Sequence, residues 1–129
     1  MSESPLHFLT ITEVAALIRD KQVSPVEVTE AMLQRIDSLD GRFQSYATVM
    51  ADQAMESARK AEIEIAAGRY LGPLHGVPIA VKDLCFTKGV RTMGGTPVLT
   101  NHVPDFDATV ISKLAAAGSV LLGKLNLTE

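Results

Sequence analysis

Two short runs that are apolar on both faces, Val77–Val81 and Val120–Leu122, constrain the fold of this chain more than any other feature. An alternating strand can leave one side in water, whereas a strand that is apolar on both sides must be covered on both. Between the runs lies a helical pattern through Val110, Ile111, Leu114 and Ala117, with Asp107 at its N-cap position and Gly118 at the turn into the second strand. Strand, helix and strand in that order are expected to form one α/β unit. Its strands, Val77 to Lys82 and Ser119 to Leu122, should lie parallel in one sheet, joined by a right-handed crossover.

The first half of the chain reads as helix. Thr10-Ile11-Thr12-Glu13 is a capping box that opens a short helix with Val14, Leu17 and Ile18 on one face. Ser24-Pro25-Val26-Glu27 is a second box with proline at the first helical position, and Val28, Met32, Ile36 and Leu39 follow at the spacing of a buried stripe. Asp40-Gly41 is expected to stop that helix, and Phe43 to Val49 to form a strand despite imperfect alternation. A third helix from about Ala51 to Ala67 should bury Ala54, Ala58, Ala61 and Ile65 and end with Gly68 at C′. Residues 1–71 are thus mainly a helical layer. Residues 72–129 form the strand, loop, helix and strand of the same domain.

Composition removes several function classes. The 129 residues are 47% hydrophobic and 21% charged, enough for a core of their own. A net charge of −3 offers no basic stripe for phosphate backbones, so nucleic acid is not expected as a direct ligand. The N-terminus lacks the pattern of a secretory signal, and no run approaches the ~20 apolar residues that span a bilayer. A cytoplasmic protein is expected. His7, His75 and His102 are isolated, so neither metal nor cofactor is implied. His75, in the turn Pro73-Leu74-His75-Gly76, reads as structural, and lone Cys85 as a half-buried thiol. Gly118 to Lys124 imitates a phosphate-binding loop, but its interior Ser-Val-Leu-Leu favours a strand, and Leu125 lacks the hydroxyl that would hold magnesium.

Lys82 holds the remaining chemical interest. A cation delivered by a short apolar strand is costly to bury unless it is paired, neutral or used. Period-2 geometry puts Ala80 and Lys82 on one face and Ile79, Val81 and Asp83 on the other, so Asp83 is not its obvious partner. Either the strand runs out into solvent as a charged Lys-Asp pair, or Lys82 is a base. The connection Leu84 to Phe106 is long enough to suggest a functional loop. Within it, Gly94-Gly95-Thr96 is either a plain turn or a place where backbone approaches a ligand.

The segment Gly72-Pro73-Leu74-His75-Gly76-Val77-Pro78-Ile79-Ala80-Val81-Lys82-Asp83 resembles the lysine-bearing segment of the amidase signature family. Three further blocks follow in the family's order: Gly89-Val90-Arg91-Thr92-Met93-Gly94-Gly95-Thr96, Asp107-Ala108-Thr109-Val110, and Gly123-Lys124-Leu125-Asn126-Leu127-Thr128-Glu129. The resemblance is loose from Thr10 and close from Gly72. It implies a mixed β-sheet with N-terminal helices packed on its start, and hydrolysis of a small-molecule amide by a serine, a cis-serine and Lys82. The Gly/Ser-rich loop and nucleophilic serine that the family places next have no counterpart in these 129 residues, so the resemblance is to the N-terminal part alone. Asn126 to Glu129 reads as the first turn of a helix.

The resemblance also gives Lys82 a role. The attacking serine must lose a proton and the departing amine must gain one, so the family's lysine takes and returns it through the cis-serine. A lysine does this only when neutral, and bringing such an amine from about 10.4 to about 7 costs about 4 to 5 kcal/mol. The A subunit of a tRNA-dependent amidotransferase would carry the same segment, as would a non-catalytic module derived from an amidase. The helices before about Leu39 would form an outer layer or a homodimer contact. The 129 residues alone are expected to be inactive and marginally stable or self-associating.

Overall fold

The computed structural model describes residues 5–127. In chain order it contains α1 (Ile11–Arg19), α2 (Pro25–Phe43), β1 (Tyr46–Val49), α3 (Ala51–Ala66), β2 (Pro78–Lys82), α4 (Thr109–Ala116) and β3 (Val120–Leu125), with one-turn 3-10 helices at Leu6–Phe8 and Pro97–Leu99. Both capping boxes form. The Thr10 and Ser24 side chains accept from the amides of Glu13 and Glu27, whose carboxylates accept from the cap amides in return. Each such cap is worth about 1 kcal/mol, and each fixes where its helix begins.

The sheet has the order β1-β3-β2, with β3 antiparallel to β1 and parallel to β2. The expected parallel pair and mixed sheet are therefore present, although β2 lies at an edge of the described sheet and not in its interior. One face of β3 packs Val120 and Leu122 on Ala54 and Ala58 of α3. On the other face, Ile79 and Leu121 share a small cavity with Ile111 and Leu114 of α4. A second apolar cluster joins Val14, Ala15 and Ile18 of α1 to Val28, Ile65 and Val77. Burying such aliphatic side chains contributes roughly 1.5–3 kcal/mol each. The small-residue face of α3 is what lets that helix lie close on the sheet. No helix of the described residues is long and apolar enough to cross a membrane.

Several element boundaries differ from the sequence reading. Helix α2 passes through Gly41 and ends at Phe43, because the left-handed turn falls at Gln44 (φ 53°). Asp40 anchors that exit through Oδ1, which accepts from the amides of Ser45 and Tyr46. The strand accordingly starts at Tyr46. Asp107 does not cap α4: its carboxylate accepts from the Lys88 amide at 2.7 Å, and Ala108 takes the cap position. Strand β3 continues past Leu122 to Leu125. The Asn126 Nδ2 donates to the Gln44 carbonyl, and the helix turn expected after Asn126 falls on Thr128 and Glu129, which lie outside the described residues.

Candidate active site

The C-terminal ends of β2 and β3 bring two lysines and one aspartate together in different environments. Lys82 is the last residue of β2 and is exposed. Its Nζ donates to the Asn126 carbonyl at 3.2 Å, and among the described residues it has no carboxylate partner. The backbone around it is pinned. Lys82 stands opposite Leu125, and the Asp83 amide donates to the Leu125 carbonyl at 2.9 Å. The alternation read from sequence holds, since Asp83 turns to the other face and is buried.

The partner of Asp83 is Lys124, which the sequence reading set aside within the phosphate-loop imitation. Lys124 is 0% exposed and Asp83 2%. The Lys124 Nζ lies 3.7 Å from Asp83 Oδ1 and donates to Thr92 Oγ1 at 2.7 Å. Asp83 Oδ2 accepts from the Met93 amide at 3.0 Å, and the Asp83 carbonyl accepts from the Gly94 amide at 2.8 Å. Burial lowers the pKa of Lys124 from its ordinary value, with the Asp83 carboxylate working against that shift.

A register shift places Lys124 there. Ile79 stands opposite Leu121 and Ala80 opposite Gly123, so β3 advances two residues where β2 advances one. Residues directly opposite each other in a sheet share a face, so the bulge moves Lys124 from the side of Val120 and Leu122 to the side of Val81 and Asp83. Gly123 serves this region directly, because a Cβ on it would meet the Thr48 carbonyl and the Tyr46 ring. The signal that could have found Lys124 is the one that found Lys82, a lysine ending an apolar strand.

The long connection crosses these strand ends. Arg91 donates to the carbonyl of Ala47 at 3.0 Å, where β1 departs from regular register, and Thr92 Oγ1 donates to the Val90 carbonyl. Gly94 and Gly95 form an exposed turn directly after Met93. Cys85 is half-buried and free. An apolar groove of about 390 Å³ between α2 and β1 is lined by Met32, Ile36 and Tyr46, but neither lysine reaches it.

His75 sits at the other end of the sheet. Its Nδ1 accepts from the Leu71 amide at 3.0 Å, which makes Nε2 the protonated nitrogen, and Nε2 donates to Glu64 at 3.2 Å. The ring packs against Gly118, where a Cβ would collide with it. Its bonds are those of a structural histidine.

Comparison with known proteins gives one consistent result. The family model described as Amidase matches residues 27–129. The putative amidase AmiD of Mycobacterium tuberculosis is 49% identical over 129 residues, which is 100% of this chain and 27% of that protein. The A subunit of glutamyl-tRNA(Gln) amidotransferase from Moorella thermoacetica is 47% identical over 124 residues, 96% of this chain and 26% of that protein. The solved structure of native peptide amidase from Stenotrophomonas maltophilia matches with a TM-score of 0.90 and 33% identity, covering 97% of this chain and 26% of that one. The chain spans about a quarter of the length of the curated relatives it matches.

Proposed function

The chain belongs to the amidase signature family, and from that premise we propose that it is the N-terminal part of a single domain that hydrolyses a C–N amide bond, with Lys82 as general base. The observation that carries this reading is the state of Lys82: exposed at the C-terminal end of a parallel strand, held by one carbonyl, and separated from Asp83 by the sheet itself. Strand ends of this kind are where α/β sheets place their ligands. As a base this amine would act in its neutral form, giving one N–H to the Asn126 carbonyl and leaving its lone pair free. That lone pair accepts the proton of a cis-serine hydroxyl as the cis-serine takes the proton of the nucleophilic serine. The serine oxygen bonds to the amide carbonyl carbon, the C–N bond breaks, and the proton returns along the same path to the departing amine; water, deprotonated by the same relay, then attacks the serine ester, and the serine oxygen leaves with that proton as the carboxylic acid is released.

The substrate class is a small-molecule amide, and the expected setting is cytoplasmic. The similarity to the Moorella protein motivates a second reading, the A subunit (glutaminase) of an amidotransferase, in which Lys82 would play the same role on a different amide. Both readings are tested by Lys82 variants of the complete enzyme. Lys82→Ala and Lys82→Arg should each lower kcat about 10²–10⁴-fold, the second because guanidinium stays protonated. Turnover near wild type in either variant defeats the assignment. Residues 1–129 alone should hydrolyse no amide.

A further inference from the structure

The buried group behind Lys82 has no part in the proton transfer just described, yet it is built at considerable energetic cost. Placing a lysine and an aspartate almost wholly out of water is unfavourable unless both are well partnered. Here the partners come from three places: Asp83 from the end of β2, Lys124 from the bulged part of β3, and Thr92, Met93 and Gly94 from the long loop. Asp83 is the chain neighbour of Lys82. Its amide, carbonyl and carboxylate are all engaged, on Leu125, on Gly94, and on Met93 and Lys124 respectively. Asp83 Oδ1 has no hydrogen-bond donor of its own and faces the Lys124 ammonium at 3.7 Å.

We propose that Asp83, Lys124 and Thr92 form a latch that positions Lys82, fastening the Leu84 to Phe106 loop across the strand ends so that the lysine leaves the sheet at one fixed angle. The inference rests on the reading of Lys82 as the base. If the pair merely filled the interior, aliphatic side chains would do so at lower cost. Instead the contacts run to a loop hydroxyl and two loop amides, the groups that decide where the loop lies. Lys124 and Thr92 act through Lys82 and touch no reacting atom, so they are positioning residues.

Thr92→Val removes the acceptor for Lys124 while keeping the side chain's shape, and Thr92→Ser restores it. In the complete enzyme, Thr92→Val should lower kcat about tenfold with KM within twofold, and speed hydrogen exchange of the loop segment containing Met93 and Gly94. Thr92→Ser should stay within twofold of wild type in both measures. The pair Asp83→Asn with Lys124→Met, which removes both charges together, should reproduce the loss in kcat and the faster loop exchange. Wild-type kcat and loop exchange in Thr92→Val, or in the charge-free pair, would overturn the latch. Lys82→Ala in the same assay separates the two ideas. If it retains turnover, the base assignment fails and the latch falls with it. If it is inactive while the latch variants are unaffected, only the latch is wrong.

Discussion

The two ends of the parallel β2 and β3 pair solve opposite problems. At the N-terminal end, His75 is enclosed with both ring nitrogens bonded, to Leu71 and Glu64, and Gly118 leaves room for the ring. At the C-terminal end, one lysine is enclosed with partners and the other is left in the open. The closed end holds the turn before β2 against the turn before β3. The open end presents an amine whose direction is set by buried neighbours. Burial with hydrogen-bonded partners thus separates the enclosed His75 and Lys124 from the exposed Lys82, which is the residue proposed to carry chemistry.

The largest effect that would sharpen this contrast is loss of one buried charge. Lys124→Ala leaves Asp83 buried without its cation and should destabilise the fold by about 3–5 kcal/mol in urea unfolding. Lys82→Ala, made at an exposed site, should cost under about 0.5 kcal/mol in the same experiment. Equal losses would erase the distinction between the two lysines. At the closed end, Gly118→Ala places a Cβ against the His75 ring at a position with φ of 84° and should cost about 3 kcal/mol.

A smaller effect concerns alkaline pH. The pKa of Lys124 is lowered in the fold from its ordinary 10.5, so between the lowered value and 10.5 the unfolded chain binds more protons at this group than the folded chain. Stability contributed by Lys124 therefore rises with pH through that window. Tyr46, whose pKa burial raises from 10.0, acts in the opposite sense above that value, which makes the difference between proteins the useful quantity. Relative to wild type, the charge-free pair Asp83→Asn with Lys124→Met should lack the rise. The smallest effect is at Cys85, where Cys85→Ser should leave amide turnover within a few fold.

The parts of this molecule that were legible in its sequence are those fixed by near neighbours. Each capping box is closed by residues three apart, and the Ala54, Ala58, Ala61 and Ile65 face of α3 repeats at helical spacing, so both could be read directly. The separation of Lys82 from Asp83 was legible because two-residue alternation puts them on opposite faces. Lys124 was not, because its partners lie far off in sequence and a one-residue bulge decides which face it takes. Asp40 and Asp107 misled for a related reason. Each bonds backbone amides of a segment that tertiary structure brings beside it, Ser45 and Tyr46 in one case and Lys88 in the other, where local pattern suggested a helix stop and a helix cap.

The central claim is that the exposed lysine, not the buried one, carries the proton. Chemical rescue tests it most directly: small primary amines are added to the Lys82→Ala variant of the complete enzyme, and amide hydrolysis is followed against amine concentration. Turnover should fall about 10²–10⁴-fold without amine and recover in proportion to added neutral amine, with no recovery in Lys82→Arg, whose side chain still fills the site. A Lys82→Ala enzyme that turns over amide at the wild-type rate with no amine present would contradict it.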